Sequence, residues 1–408
     1  MSKKTFVIVG AGQAGGQAVQ TLLSEGFDGR IVVVGDERHV PYERPALSKE
    51  VLLHGEPQSA SALMLPAAFY EDKGVELRLS CRASAIDREH KRVVLGGGGI
   101  GYDKLLLATG SRPRALNIPG ADLDGVRFLR TIDDSVALHR CMKEGARVVI
   151  VGGGFIGLEA AAAARSMGCE VTVLEMHPNL LQRIAAPHLG RLYEDLHRAN
   201  GVEIRVSSVA IGMLGNSRVE HVICSDGTMI PADVVLVGVG VVPNVELARD
   251  AGLNVEDGIV VDEFGRTSDP DIFAAGDVAC HTNEYVGRRV RLESWENARN
   301  QSIGAAKAMC GRGTPYCDVP WFWSDQFDVN MQMLGLPDRW DDAVVRGDRS
   351  EMKFTVFYLR QGQIVGASMV NRGGDVTPTR KMMRERRIVD PKLLTDQAHP
   401  LRRMAASA

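Results

Sequence analysis

The stretch RVVIVGGGFIGLEAA, Arg147–Ala161, decides the fold. It reads as an apolar strand at Val148–Val151, a glycine turn, and the start of a helix. The turn spaces its glycines as Gly152-x-Gly154-x-x-Gly157, with Gly153, Phe155 and Ile156 between them. The first glycine permits a tight turn, the second lets a pyrophosphate approach the backbone, and the third lets helix and strand pack closely. The helix N-terminus adds unpaired N–H groups and the positive end of a dipole. The helix is expected over Leu158–Met167, and the next strand, EVTVLE, ends in Glu175, 18 residues past Gly157. An acid at that interval can bind an adenosine ribose.

The same pattern occurs at the start of the chain. KTFVIVGAGQAGGQA, Lys4–Ala18, predicts a strand at Phe6–Val9, a turn with Gly10, Gly12 and Gly15, and a helix to about Ser24. A second strand, RIVVVGDE at Arg30–Glu37, carries Asp36 near its end, 21 residues after Gly15. Each copy is followed by a β-rich stretch. The first begins VELRLSCRAS, turns at a hairpin tip over Gly96–Gly99, and closes on an apolar strand and Ala108-Thr109-Gly110. The second runs from VEIRVSSVAIGML to VVLVGVGVVPN and contains Gly240. The repeat therefore covers whole units, which reads as a duplication providing two dinucleotide sites.

Composition narrows the classes. The 408 residues suffice for two or three domains. A net charge of −3 and a pI of 6.4 lack the basic footprint of nucleic-acid binding. No apolar run approaches the roughly 20 residues that span a bilayer. The opening MSKKTFVIVG runs straight into the glycine turn without a cleavage-type spacer, so a cytoplasmic protein free of membrane is expected. Seven cysteines stand at 81, 141, 169, 224, 280, 310 and 317, none in CxxC spacing, so neither a disulfide framework nor a metal site is expected.

Two dinucleotides suggest a bound flavin and a diffusible nicotinamide. TSDPDIFAAGDVA, Thr267–Ala279, ends an apolar strand at Gly276-Asp277, where a carboxylate can accept hydrogen bonds from a ribityl chain. This element resembles the second FAD signature of two-dinucleotide-binding flavoprotein reductases. Glu175 favours a free 2′-hydroxyl over a 2′-phosphate, and MHPNLLQR places no arginine directly after it, so NADH is expected rather than NADPH. VPYERPALSKEVL, Val40–Leu52, has no cysteine where a thiol relay would face the flavin. Electrons then pass directly to a one-electron protein partner or to a small oxidant.

PYERPALSK, GGGFIGLE, FLRTIDD, TSDPDIFAAGD, RLESWENARNQ and PWFWSDQ occur in this order. Together they resemble the oxygenase-coupled, NADH-dependent ferredoxin reductases, the putidaredoxin reductase-like flavoproteins that serve aromatic-ring dioxygenases. The resemblance spans nearly the whole chain. It implies an α/β fold with two Rossmann-like domains for FAD and NAD plus a C-terminal α+β domain. The expected boundaries are 1–112 and 245–319 for FAD, 113–244 for NAD, and 320–408 for the C-terminal domain. Tightly bound FAD would contact Ala14, Asp36, Arg44, Lys49, Ala83, Arg130, Asp277 and Trp295, beside the first glycine turn and Ala108–Gly110. NADH would lie along Gly152–Gly157, Glu159, Glu175 and Gly240. Lys49, paired with Glu159, would stabilise the anionic reduced flavin, while the cofactor carries the chemistry. Glu159 also reads as a favourable carboxylate in the first turn of a helix.

The partner implied is a [2Fe–2S] ferredoxin, Rieske-type or similar, fed by a monomer or homodimer. Trp321 reads either as cover for the flavin–nicotinamide stack or as core packing, and the same holds for Trp323. Nine cations after Asn371 (Arg372, Arg380, Lys381, Arg384, Arg386, Arg387, Lys392, Arg402 and Arg403) against four acids read as a docking face or as a solvated helix face. VGRRVR, Val286–Arg291, is a second basic candidate. Other readings remain: a reductase for a rubredoxin, a P450 redoxin or small oxidants, an NADH-sensing flavoprotein acting through a partner, or a thiol-linked enzyme using Cys81 or Cys280. Two positions depart from the family pattern: Gln13, where an apolar residue is commoner, and Ala46, where a second proline is frequent.

Overall fold

A computed structural model describes residues 3–56, 62–182 and 187–406. Arg183, the last residue of MHPNLLQR, lies outside them. By packing, the chain divides into two compact units. One comprises Met1–Tyr42, Met64–Ser111 and Pro243–Ala408; the other comprises Glu43–Leu63 and Arg112–Val242.

The first unit holds a five-stranded parallel sheet in the order Ile272–Ala274, Lys104–Leu107, Thr5–Val9, Arg30–Val34, Glu76–Arg78. Val7, Ile8, Val32, Val33, Leu105 and Leu106 are fully buried. Runs of β-branched and leucine residues suit strands covered on both faces. The helix Gln13–Ser24 follows the first strand and shares a core with the helix Trp295–Met309 through Ala14, Ala18, Ala298, Ala305 and Ala306. The second strand is shorter than its sequence suggests. It ends at Val34, although Gly35 still donates to the Arg78 carbonyl at the edge of the parallel ladder.

The C-terminal part of this unit builds a separate antiparallel sheet from Trp321–Gln326, Val329–Leu334, Gln363–Val370, Lys353–Arg360 and Asp342–Asp348, in that order. Met382, Met383 and Leu394 from the following helices share its core with Phe357, Leu359 and Met369. This is the expected α+β arrangement.

The second unit repeats the parallel sheet: Glu203–Arg205, Glu170–Leu174, Arg147–Val151, Val234–Val237, Val126–Arg127. Its helix spans Phe155–Ser166, starting three residues before the expected Leu158.

The duplication extends to small irregularities. Each unit has a three-stranded meander, Ala83–Asp87 with Arg92–Leu95 and Gly98–Gly101, and Ala210–Leu214 with His221–Cys224 and Met229–Pro231. The first hairpin turns on Gly96-Gly97, a tighter tip than the four glycines suggest. Both meanders shift register at the start of the first strand, between Ala83 and Ala85 and between Ala210 and Gly212. Each parallel sheet ends its VELRLS or VEIRVS strand on a serine in the left-handed region, Ser80 and Ser207, both at φ 50°. Side chains rarely adopt that conformation, and here it recurs at matching places in the two units.

Candidate functional site

The two glycine turns meet the same steric demand. Gly10 has φ +120°, and a Cβ there would lie 2.0 Å from the Ala108 carbonyl oxygen. Gly152 has φ +117°, and its Cβ would lie 2.4 Å from the Gly238 oxygen. A Cβ on Gly15 or Gly157 would strike the Gly10 or Gly152 oxygen at 1.9 and 2.2 Å. Gly154 instead faces open space, with nothing within 4 Å of a Cβ position. That is the glycine over which a pyrophosphate would pass. Gly12 and Gly154 cap helices that have no side-chain cap and no acid in the first turn. Their N–H groups are therefore not committed to a neighbouring carboxylate. Ala108-Thr109-Gly110 corresponds to Gly238-Val239-Gly240, with Gly110 and Gly240 at φ +63° and +99°.

The two acids differ. Thr5 pairs with Arg30 and Arg147 with Glu170, so Gly35 corresponds to Glu175 and Asp36 to Met176. Asp36 is exposed, with the Arg82 guanidinium 3.7 Å away. Glu175 is buried, one residue beyond its strand. Its Oε2 accepts the Gly153 N–H at 2.8 Å and its Oε1 accepts the His177 N–H at 2.8 Å. A carboxylate offers about four lone-pair positions, so two remain for ribose hydroxyls.

Arg44, Lys49 and Arg130 all belong to the second unit. Arg44 begins the 3₁₀ turn Arg44–Ser48 and donates to the Arg130 carbonyl. Ser135 Oγ donates to the Leu47 carbonyl at 2.7 Å, and His139 Nδ1 lies 2.8 Å from the Leu52 carbonyl. On this seat, Lys49 Nζ donates to Glu159 Oε2 at 2.7 Å and Ser48 Oγ donates to the same oxygen at 2.5 Å. Glu159 is buried and Lys49 partly exposed. The early helix start moves Glu159 out of the first turn, so the macrodipole does not account for it. Its position is explained by two donors converging on one oxygen. Ser48 is a site residue the sequence reading missed; only its place beside Lys49 pointed to it.

Asp277 follows Gly276, which has φ +83°. Ser111 Oγ donates to Asp277 Oδ2 at 2.9 Å. Thr109 and Asn244 exchange hydrogen bonds at 2.8 Å in both directions. Ala83 is buried in the first meander. Trp295 opens its helix behind the Ser294 cap, and its indole Nε1 is buried with no partner among the described residues. A buried donor left without an acceptor fits a bound group that supplies one.

Trp321 and Trp323 stack with centroids 4.9 Å apart, and Trp323 meets Trp295 edge-on at 5.8 Å. Trp321 Nε1 donates to Gln332 at 3.1 Å, and the ring packs against the C-terminal core. Most of the C-terminal cations are paired: Arg372 with Asp375, Arg380 with Glu296, Lys381 and Arg387 with Glu385, Arg384 with Asp318, and Arg386 with Glu284. In VGRRVR, Arg289 pairs with Glu256 and Arg291 with Asp257 and Glu293. The run of cations in the sequence therefore overstates the free positive charge of this surface. Among the described residues no cluster of His, Cys, Asp or Glu could hold a metal, all seven cysteines are free, and no helix is long and apolar enough to cross a membrane.

Residues 4–302 match the model of the pyridine nucleotide-disulphide oxidoreductases, and residues 321–405 match that of the reductase C-terminal domain. The chain belongs to the pyridine nucleotide-disulphide oxidoreductase family. Membership implies use of FAD and NAD(H). The chain is 43% identical to the ferredoxin–NAD(+) reductase component of the anthranilate 1,2-dioxygenase system of Burkholderia cepacia, over 97% of this chain and 98% of that one. It is 40% identical to rhodocoxin reductase of Rhodococcus erythropolis, over 96% and 92%. Its fold superposes on the reductase in the covalent putidaredoxin reductase–putidaredoxin complex with a TM-score of 0.95 and 37% identity, covering 100% and 99% of the two chains. The family's name refers to disulphides, but the Val40–Leu52 segment carries Ser48 and Lys49 and no cysteine.

Proposed function

We propose that this chain is an FAD-containing NADH:ferredoxin reductase that feeds a [2Fe–2S] ferredoxin of an aromatic ring-hydroxylating dioxygenase system. The observation that carries the reading is the repetition of a complete dinucleotide turn, with Lys49, paired to Glu159, in the segment where a thiol relay would stand. Similarity over the full length to a dioxygenase-system reductase supports it. Bound FAD supplies the chemistry that takes a hydride from NADH and releases its electrons singly to an iron–sulfur protein.

The chain's residues bind, orient and tune. Gly10, Gly12 and Gly15 with Asp36 would hold the FAD diphosphate and adenosine ribose, and Asp277 and Trp295 would meet the rest of the cofactor. Gly152, Gly154 and Gly157 would hold the NADH diphosphate, with the Glu175 carboxylate already oriented by two amides for a ribose and repelling a 2′-phosphate. Lys49, held by Glu159, would supply positive charge for the reduced flavin. The domains of this reading are 1–112 with 245–319 for FAD, 113–244 for NAD, and 320–408 at the C-terminus.

The test is NADH-driven cytochrome c reduction by the purified protein with and without a Rieske-type ferredoxin. A large ferredoxin-dependent rise, stronger with NADH than NADPH and suppressed by salt, is expected. Rapid anaerobic bleaching of the flavin by NADH without any ferredoxin-dependent rise would overturn the partner assignment. Similarity to a ferredoxin reductase of the CYP199A2 system favours a P450 redoxin as the second reading. The same assay with such a redoxin in place of the dioxygenase ferredoxin separates the two.

A further inference from the structure

We propose that Gln301 is a positioning residue of the flavin site, fixing the Gly276–Asp277 turn so that the Asp277 carboxylate is presented to the cofactor. The inference rests on the FAD assignment above. Gln301 lies mid-way along the helix Trp295–Met309 and is buried. Its Oε1 accepts the Gly276 N–H at 2.9 Å. Its Nε2 lies 3.4 Å from Nδ1 of His281, which is fully buried.

The two ends of the amide fix each other. Burial pushes the His281 imidazole down to about 4, so the ring is neutral near pH 7. Its Nδ1 then accepts a hydrogen bond from the Gln301 amide nitrogen, which leaves the carbonyl end for Gly276. Asn297 Nδ2 lies 3.5 Å from the same Gln301 oxygen and donates to the Leu292 carbonyl at 3.1 Å. The Tyr316 hydroxyl donates to Asn297 Oδ1 at 3.0 Å. Gln301 is therefore held from both sides by neutral groups and has one low-energy orientation.

The turn it holds has little slack. A Cβ position on Gly276 lies 3.1 Å from the Ala14 Cβ, at the start of the helix that follows the first glycine turn. The next residue is anchored twice: Ser111 donates to the Asp277 carboxylate at 2.9 Å, and Arg291 Nη1 donates to its carbonyl at 3.3 Å. Losing the Gln301 carbonyl leaves a buried Gly276 N–H without an acceptor. The turn then relaxes toward another acceptor and carries the carboxylate with it.

The experiment uses the purified yellow holoprotein and reads FAD release on dilution together with the visible circular dichroism of the bound flavin. Gln301→Met keeps the side chain's length and removes the carbonyl. Release about tenfold faster and an altered flavin dichroism are expected, from the cost of one unsatisfied buried donor. Gln301→Leu also removes the carbonyl and should likewise speed FAD release by about tenfold. Release at the parent rate with unchanged dichroism in Gln301→Met overturns the proposal. So does a lowered unfolding midpoint with no change at the flavin, which marks a structural role only. If Gln301→Met does not fold, Gln301→Leu decides: faster release with altered dichroism supports the role, and release at the parent rate overturns it. A parent protein that binds no flavin refutes the FAD assignment instead.

Discussion

Replacing Glu175 with alanine should weaken both the second unit's fold and its grip on NADH. The carboxylate accepts two backbone N–H groups at 2.8 Å, one from Gly153 within the glycine turn and one from His177 just beyond the strand. Hydrogen bonds to a charged group contribute roughly 1.5–3 kcal/mol each. The His177 amide is partly accessible and can turn to water, whereas the Gly153 amide is buried. The net loss in Glu175→Ala is then about 2–4 kcal/mol, a large share of the roughly 5–15 kcal/mol that holds a typical domain. Glu175→Gln keeps one acceptor and turns its NH₂ toward the other amide, so it should cost about half as much. Urea unfolding read by near-ultraviolet dichroism measures the stability, and NADH titration of the oxidised protein measures the affinity. An alanine variant as stable as the parent, with unchanged NADH affinity and unchanged preference over NADPH, would refute both the bonding and the ribose assignment.

Glu159→Gln should leave the fold nearly intact, because one amide oxygen can still receive both Ser48 and Lys49, yet alter the rate of flavin reduction by NADH in anaerobic stopped-flow. Glu159→Leu, which strands both donors, should cost about 2–3 kcal/mol more in urea unfolding. Lys49→Ala should slow flavin reduction, and an unaltered rate would place the lysine outside the site. The folded imidazole of His281 resists protonation down to about 4, while the unfolded one titrates near 6.5. Unfolding thus takes up a proton as pH falls through that window, and stability should drop by about 3 kcal/mol across it. Relative to His281→Asn, the parent should lose about 3 kcal/mol of stability between pH 6.5 and pH 4 if His281 carries this effect. Gly15→Ala and Gly157→Ala should each abolish one cofactor site, since the new methyl lies about 2 Å from a turn carbonyl; spectrally normal FAD binding by Gly15→Ala would count against the first.

Much of the fold was legible because its signals are local. A glycine that must admit a carbonyl at 2 Å announces itself by identity and spacing, as at Gly10 and Gly152. Buried parallel strands announce themselves as unbroken valine and isoleucine runs. Gly35, by contrast, looked like strand interior in RIVVVGDE, yet the strand stops at Val34, because strand ends depend on pairing that a local pattern does not show. The packing of Glu43–Leu63 into the second unit was invisible, because it depends on Ser135 and His139, nearly ninety residues downstream. Ser48 and Gln301 act through single hydrogen bonds to distant partners, a property with no periodicity to read. Charge was the most misleading signal, since most of the basic residues after Asn371 face acids that lie close in sequence or elsewhere in the first unit.

The two halves trade volume at one spot. A side chain at Gly35 would sit 2.6 Å from the Ala11 methyl, while Glu175 stands at the matching place opposite a bare Gly153. The pair Ala–Glu is therefore sterically closed and the pair Gly–Gly is open. A gene encoding two identical halves could have acquired the acid at 175 only after, or together with, loss of the methyl at the facing position. Introducing a glutamate at Gly35 in the first half should likewise succeed only in an Ala11→Gly background.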